Sequence, residues 1–485
     1  MVSSGGGQQQ QQQQQQPERT KDAEAASAAA IPGEAESAAA TAEAVRQAKA
    51  EVAAVVAARD VDAAFDAFAR KQLADAGWTP EQAAAAAAAS PATQALVRGG
   101  RRPRGGGGRP VGFDSAVGPP LPAPPSIPPA LGVLATALVA DTNSTVRQAR
   151  VRAFQASLRR ISALNAASGA DLAYGLTPFS HLTPAEFRRL YLSAPLAELP
   201  KGAAEAAADA GGGGGSSSND GNNSNGGNRR LLQNGNLVCN ARVAFPYGGA
   251  TPPPAKDWRN VNGVSFVPTA VRNQQSCGSC ASFTAAALLE SMVIRKYRAN
   301  GYTAAATDVS EQEQLDCLAG DGCQGALPYQ YLDRAVCRGV AFEGSSPYRN
   351  YDQMTCPSTA AVPRYASGAR AWAEPPATER GMAQAADKGL VAIALLATDD
   401  FMNYRAGVFD CGAARGGRSI NHATVIVGWN DAARMSTGAT WRVWSVRNSW
   451  GNGWGEGGYF RLRKDCGGAG TLNMYTPGYN TVLVE

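Results

Sequence analysis

The stretch Asn273-Gln274-Gln275-Ser276-Cys277-Gly278-Ser279-Cys280 decides how the rest of the chain is read. The helix-forming run Ala281-Ser282-Phe283-Thr284-Ala285-Ala286-Ala287-Leu288-Leu289-Glu290 follows it directly. This places Cys280 in the first turn of a helix, where unpaired N–H groups and the positive end of the helix dipole stabilise a thiolate. Phe283, Ala287, Met292 and Tyr297 fall roughly on one face, which predicts a helix buried on that side.

A thiol is mostly protonated at neutral pH, so a nucleophilic Cys280 needs a basic partner. The chain has only two histidines, His181 and His422. His422 opens the apolar run Ala423-Thr424-Val425-Ile426-Val427-Gly428, which reads as a strand and gives the imidazole a rigid edge. Asn448, in Arg447-Asn448-Ser449-Trp450-Gly451, offers an amide oxygen to the ring N–H, with Trp450 shielding that bond from water. A zinc reading of Cys277 and Cys280 needs further ligands at matching spacing, and there is no second CxxC. A thioredoxin-like reading needs a βαβ frame, which the pattern does not supply. The expectation is no metal and no cofactor.

Cys277-Gly278-Ser279-Cys280 resembles the active-site segment of papain-like cysteine peptidases, C-G-[SA]-C-[WY]. Ala281 stands where that segment carries an aromatic residue, and Gln275 where a small residue is usual. His422 follows Cys280 within the family's separation of about 130–150 residues. Asn448 follows at a longer distance than usual, which the polar insertion Asn430–Thr440, read as an extended hairpin, accounts for. The resemblance implies an α+β, two-lobed fold, helical first and β-rich second, with the active site in the cleft between. It implies Cys280, His422 and Asn448 as the catalytic set and Gln274 as a side-chain donor to the oxyanion, beside the Cys280 N–H. It further implies disulfides Cys277–Cys323, Cys317–Cys356 and Cys411–Cys466, and hence an oxidising compartment. Cys239 and Cys337 have no counterpart that can be placed. Gly325 and Ala326 occupy the family's substrate wall. Pro328, Ala394 and Ala423 are expected to line an apolar pocket for the residue two before the scissile bond, and Trp450 to border the site.

The first half of the 485-residue chain is rich in Ala, Gly, Pro and Gln, whereas the second carries most of the Trp and Cys. Residues 1–126 read as low-complexity and unstructured, with Ala64-Phe65-Asp66-Ala67-Phe68 weighed as a helix turn in a solvated segment. Met1 opens no signal peptide. The apolar stretch 127–140 is too short to span a membrane. Two readings of it stand: the first helix of a pro-region, or a signal-like core behind a misassigned start. Arg150, Phe154, Ile161 and Asn165 share a helical stripe. They match four positions of the inhibitory helix of papain-like proenzymes, E-x3-R-x3-F-x2-N-x3-I-x3-N, with Val146 and Ser157 departing. Gly175 and Phe179 match the G-x-N-x-F-x-D segment of the same pro-region, with Thr177 and His181 replacing Asn and Asp. Residues 127–200 are thus expected to be an inhibitory pro-region and 251–485 the peptidase domain. Residues 201–250 form a Gly/Ser/Asn-rich linker with the dibasic pair Arg229-Arg230.

The function implied is a cysteine endopeptidase made as a zymogen. Its partners are peptide and protein substrates, its own pro-region as intramolecular inhibitor, and cystatin-like inhibitors. Net charge is +5 with no basic face, which gives no case for nucleic acid. A monomer without a transmembrane segment, routed to the lysosome, vacuole or exterior, completes the expectation. The sequons Asn143-Ser144-Thr145 and Asn222-Asn223-Ser224 point the same way. Two alternatives are carried. Asp257-Trp258-Arg259, Asp400-Phe401 and Tyr404 resemble the dipeptidyl aminopeptidase branch typified by cathepsin C. Ala281 and Ala326 would also suit an inactive peptidase fold kept as a binding module.

Overall fold

The computed structural model describes residues 34–89, 129–193, 230–233, 236–239, 241–318, 322–351, 356, 364–365, 368–412 and 420–485. The Gln-rich start, the Arg/Gly- and Pro-rich stretch, most of the 201–250 linker, Arg229 and the Asn222 sequon lie outside these residues.

Composition suggested no structure before residue 127, yet three helices form there: α1 (Glu34–Ala57), α2 (Val61–Asp75) and α3 (Pro80–Ala89). The reason is that alanine fills most of the remaining positions in these helices, so the few larger apolar residues that mark the buried faces carry little periodic signal. Val45, Ala48 and Val52 of α1 are buried, as are Phe65, Phe68, Ala69 and Leu73 of α2. Asp60 caps α2 by accepting the Ala63 N–H.

These helices pack on α4 (Pro129–Val139) and α5 (Thr145–Ala167). The apolar stretch thus forms a buried helix, with Val133, Leu134, Ala135 and Ala137 inside. α5 carries the expected stripe. Phe154 is buried, with the rings of Phe65 and Phe68 at 5.8 and 5.0 Å from its own. Asn165 brackets Tyr174, donating to its carbonyl at 2.8 Å and accepting its N–H at 2.9 Å. This fixes the short strand β1 (Leu172–Tyr174). Arg150 pairs with Glu186 at 2.7 Å and also donates to the His181 carbonyl. Glu186 closes a capping box with Thr183 at the start of α6 (Pro184–Tyr191).

After the hairpin β2 (Arg230–Gln233) and β3 (Asn236–Cys239), and the strands β4 (Arg242–Val243) and β5 (Ala255–Asp257), the chain enters a helical lobe. It contains α7 (Cys280–Tyr297), α8 (Glu311–Cys317) and α9 (Pro328–Arg338), with the pair β6 (Val340–Ala341) and β7 (Arg364–Tyr365). Disulfides Cys277–Cys323 and Cys317–Cys356 tie its loops down. The β-rich part follows as β8 (Ala371–Ala373), α10 (Glu379–Lys388), β9 (Val391–Leu395), β10 (Tyr404–Phe409), β11 (His422–Arg434), β12 (Thr440–Arg447), β13 (Tyr459–Arg463) and β14 (Thr481–Val484). The strand order is β1-β10-β13-β12-β11-β9-β14-β8-β4, with β5 also on β11. Cys411–Cys466 closes this lobe.

Two consequences bear on the site. The segment after α5 adds β1 to the edge of the same sheet through β10. And α7 is buried from Cys280 to Ile294 on every side rather than on one face. It lies between β11 on one flank and α8 and α9 on another, and its Ala, Ser and Thr positions permit close contact all round. Among the described residues, no helix is long and apolar enough to cross a membrane.

Phe154→Ala should destabilise the packing of the N-terminal helices by about 3–5 kcal/mol, as for a fully buried aromatic. Thermal denaturation of the full chain measures this. A loss below about 1 kcal/mol would mean that α2 does not hold Phe154 in a packed core.

Candidate active site

The loop before α7 is held so tightly that only glycine fits at position 278. A Cβ on Gly278 would sit 2.5 Å from the Cys323 carbonyl oxygen, to which the Gly278 N–H donates at 2.9 Å. Ser279 is the N-cap of α7, and its hydroxyl is spent on Tyr348 rather than on the helix. Tyr348 in turn donates to the Gln274 carbonyl at 2.6 Å. The N–H groups of Cys280 and Ala281 act on the Cys280 sulfur, while those of Ser282 and Phe283 donate to the Ser279 carbonyl.

His422 is the first residue of β11 and is 2% exposed. Its Nε2 lies 2.8 Å from Asn448 Oδ1. The Trp450 ring stacks on the imidazole with centroids 4.6 Å apart. The next residue, Ala423, donates its N–H to Cys280 Sγ at 3.3 Å, which joins the strand edge to the helix start. Gln274 is fixed from both ends. Its Oε1 accepts the Ser449 hydroxyl at 2.6 Å and its N–H donates to the Ser449 carbonyl. Ser449 is thus a supporting residue that the sequence reading passed over, although it sits inside the Asn-Ser-Trp-Gly segment.

Residues 191–193 lie across this array. Gln274 Nε2 donates to the Tyr191 carbonyl at 3.0 Å and to the Cys277 carbonyl at 2.9 Å. Ser193 Oγ lies 3.4 Å from Cys280 Sγ, and the Ser193 N–H donates to the Asn421 carbonyl at 2.9 Å. Gly325 leaves room for it, since a Cβ there would sit 2.7 Å from Ser193 Cβ. Residues 191–193 therefore touch both lobes over the nucleophile. Nothing in their side chains announced this, because most of the contacts run through the backbone.

Burial sets the electrostatics of the pair. Burial pushes the Cys280 thiol above its ordinary pKa, while Ser193 and the N–H groups of Ala423 and Ala281 work against the rise. Burial also pulls His422 down to about 4, with the Asn448 contact opposing. Both effects favour the uncharged pair. His181 is likewise buried, its Nε2 3.0 Å from the Ala130 carbonyl, and burial and the nearby Arg150 hold it down at about 3.

The remaining sequence-derived positions fall as follows. Ala394 and Ala423 are cross-strand partners on β9 and β11, and Pro328 opens α9 on the other lobe. Ala326 is nearly buried. Trp450, expected to border the substrate, is 1% exposed. The pro-region rings of Phe179 and Phe187 lie against it at 5.5 and 5.2 Å. Cys280 is the free cysteine among the described residues, and Cys337 is disulfide-bonded. The side chain of Cys239 lies outside the described residues.

A family model described as papain family cysteine protease matches residues 252–476. Macrodontain-1 of Ananas macrodontes is 34% identical over 227 residues, covering 45% of this chain and 92% of that protein. Ananain of Ananas comosus is 37% identical over 221 residues, covering 44% and 56% respectively. The chain spans little more than half the length of the first curated relatives it matches. Among solved structures, a recombinant stem bromelain precursor superposes with a TM-score of 0.53 at 24% identity, covering 72% of this chain and 95% of that one. Digestive procathepsin L 3 of Tenebrio molitor larval midgut gives a TM-score of 0.52 at 19% identity, covering 73% and 98%. At these identities the likeness is one of fold, and it extends beyond the part that the family model matches.

A pH dependence follows from the two histidines. Both are depressed from 6.5, His422 to about 4 and His181 to about 3, so the unfolded chain binds protons that the folded chain refuses. Stability is undiminished above 6.5 and falls as pH drops through that value toward 4. The thermal midpoint of the full chain should decline across that window, and His181→Gln should flatten the decline. A flat profile in the unsubstituted chain would contradict the burial of both rings.

Proposed function

Because this chain belongs to the papain family of cysteine proteases, we propose that it is the inactive precursor of a cysteine endopeptidase. Residues 251–485 are the catalytic part and residues 127–200, with α1–α3, its built-in inhibitor. The observation that carries this reading is the Tyr191 carbonyl on Gln274 Nε2, with Ser193 on the Cys280 sulfur. A peptide carbonyl already sits on the donor that a scissile carbonyl would use.

Removal of residues 191–193 returns water to the cleft and lifts the burial penalty on both charged forms. The Cys280 proton then passes to His422, giving a thiolate at the helix start and an imidazolium held by Asn448 Oδ1. The thiolate attacks the substrate carbonyl carbon. The oxygen takes the negative charge and is met by Gln274 Nε2–H and the Cys280 N–H. The C–N bond breaks as His422 hands its proton to the departing amine, leaving a thioester on Cys280. His422 then takes a proton from water, whose oxygen attacks the thioester. The C–S bond breaks, the acid leaves, and the thiolate–imidazolium pair is restored. Trp450 on the face of the imidazole keeps water from the His422–Asn448 bond. Apolar Pro328, Ala394 and Ala423 favour an apolar residue two positions before the scissile bond. Three disulfides support passage through an oxidising compartment, and cystatin-like proteins are the expected class of external inhibitor.

Three outcomes test this. After removal of the pro-region, a thiol-directed epoxysuccinyl peptide should label the protein stoichiometrically, and Cys280→Ser should abolish labelling. N-blocked peptides should be cleaved internally, whereas an aminopeptidase would need a free amine. Gln274→Ala should lower kcat/KM by about 10²–10³ while leaving the thermal midpoint of the processed protein within a few degrees. An unchanged kcat/KM would remove Gln274 from the oxyanion site.

A further inference from the structure

The pro-region turn between α5 and β1, residues 168–171, is gripped by side chains that take no part in the catalytic array. On one side Lys49 of α1 donates to the Gly169 carbonyl at 3.0 Å and to Ser168 Oγ at 3.2 Å. On the other, the tip of the β11–β12 hairpin closes on Asp171. The Ser436 N–H and hydroxyl donate to Asp171 Oδ1 at 2.6 and 2.5 Å, and the Thr437 hydroxyl donates to Oδ2 at 3.2 Å. Asp171 is 8% exposed although it is a carboxylate. Its backbone is seated as well. The Asp171 carbonyl accepts the Val408 N–H at 2.8 Å, and a Cβ on Gly407 would come within 2.1 Å of that oxygen.

The tip is shaped before it meets Asp171. Gly438, at φ +82°, turns the chain, and the Gly438 N–H donates to the Met435 carbonyl at 3.0 Å. The Met435 side chain packs with Val408 and Val443 in a small buried cluster. Ser436 and Thr437 are otherwise exposed, and no step of the proposed reaction needs them. The hairpin nevertheless extends the two strands that deliver His422 and Asn448, β11 and β12, to this point.

We propose that the Met435–Ala439 tip is a carboxylate-binding docking surface for the pro-region, with Asp171 as its ligand, and that this contact keeps the catalytic cleft closed. The proposal rests on the reading of this chain as a precursor. Its partner is a segment of this same chain. Hydrogen bonds to a buried charged acceptor contribute more than exposed ones, and three converge on one carboxylate. Asp171 leads directly into β1, and from there the chain runs through α6 to the cover at residues 191–193. Loosening the tip therefore raises the frequency with which the cover opens.

The test uses the full chain and reads the rate at which iodoacetamide alkylates Cys280, which needs no peptidase activity. Asp171→Ala should raise that rate about tenfold, the effect of losing a charged hydrogen-bonded contact. Ser436→Ala with Thr437→Val should raise it in the same direction. All three changes together should do no more than Asp171→Ala alone, because they break one contact. Asp171→Asn, which keeps shape and one acceptor, should give a smaller rise and replaces the alanine variant in the cycle if that variant does not fold. Unchanged rates, or effects of the carboxylate and hairpin substitutions that multiply independently, would overturn the proposal. Once the pro-region is removed, every variant should alkylate at the unsubstituted rate. Processed protein that alkylates but cleaves no peptide would sink the peptidase reading and leave the docking surface standing.

Discussion

A thiol and an imidazole buried together are held uncharged unless something compensates the loss of water. Here the Tyr191 carbonyl lies on Gln274 Nε2 and the Ser193 hydroxyl at the Cys280 sulfur, so these segments bring only neutral partners to the buried site. Burial raises the thiol and depresses the imidazole to about 4, so the pair that would do chemistry is stored as a neutral one. The rest of the chain keeps residues 191–193 in place. β1 extends the sheet that holds His422, Phe179 and Phe187 pack on Trp450, and α1 and α2 pack on the helix that carries Phe154.

The chemistry was more legible in the sequence than the packing. Cys280, His422 and Asn448 stood out because the reaction needs those residue types and the chain offers only two histidines. The imidazole and the amide do meet at 2.8 Å. The stripe Arg150–Phe154–Ile161–Asn165 was legible for a similar reason, since each position has a distinct partner: Glu186, the α2 rings, the core and the Tyr174 backbone.

Alanine hid the rest. In α1–α3 it surrounds the few buried Val, Phe and Leu residues and blurs the face they mark, so helices that pack read as solvated chain. In α7 the Ala, Ser and Thr positions looked outward-facing, yet the helix is enclosed on all sides up to Ile294. The packing of Phe179 and Phe187 on Trp450 has no signal in the Trp450 segment, because both rings reach it from far upstream. Ser193 carried no signal at all, since its role depends on where the backbone of the preceding residues runs. The hairpin after Asn430 was read correctly as an extension, but its grip on Asp171 depends on tertiary placement alone.

The central claim is that the pro-region stores the catalytic pair uncharged and that its removal lets the pair ionise. Thiolate absorbance in the ultraviolet, taken as the difference between the protein and its Cys280→Ser variant, reads this directly at mildly acidic pH. The account predicts no thiolate signal in the intact precursor and a signal of about one thiolate per molecule once the pro-region has been removed. A full thiolate signal in the intact precursor would contradict it, because the cover would then be blocking access without controlling charge.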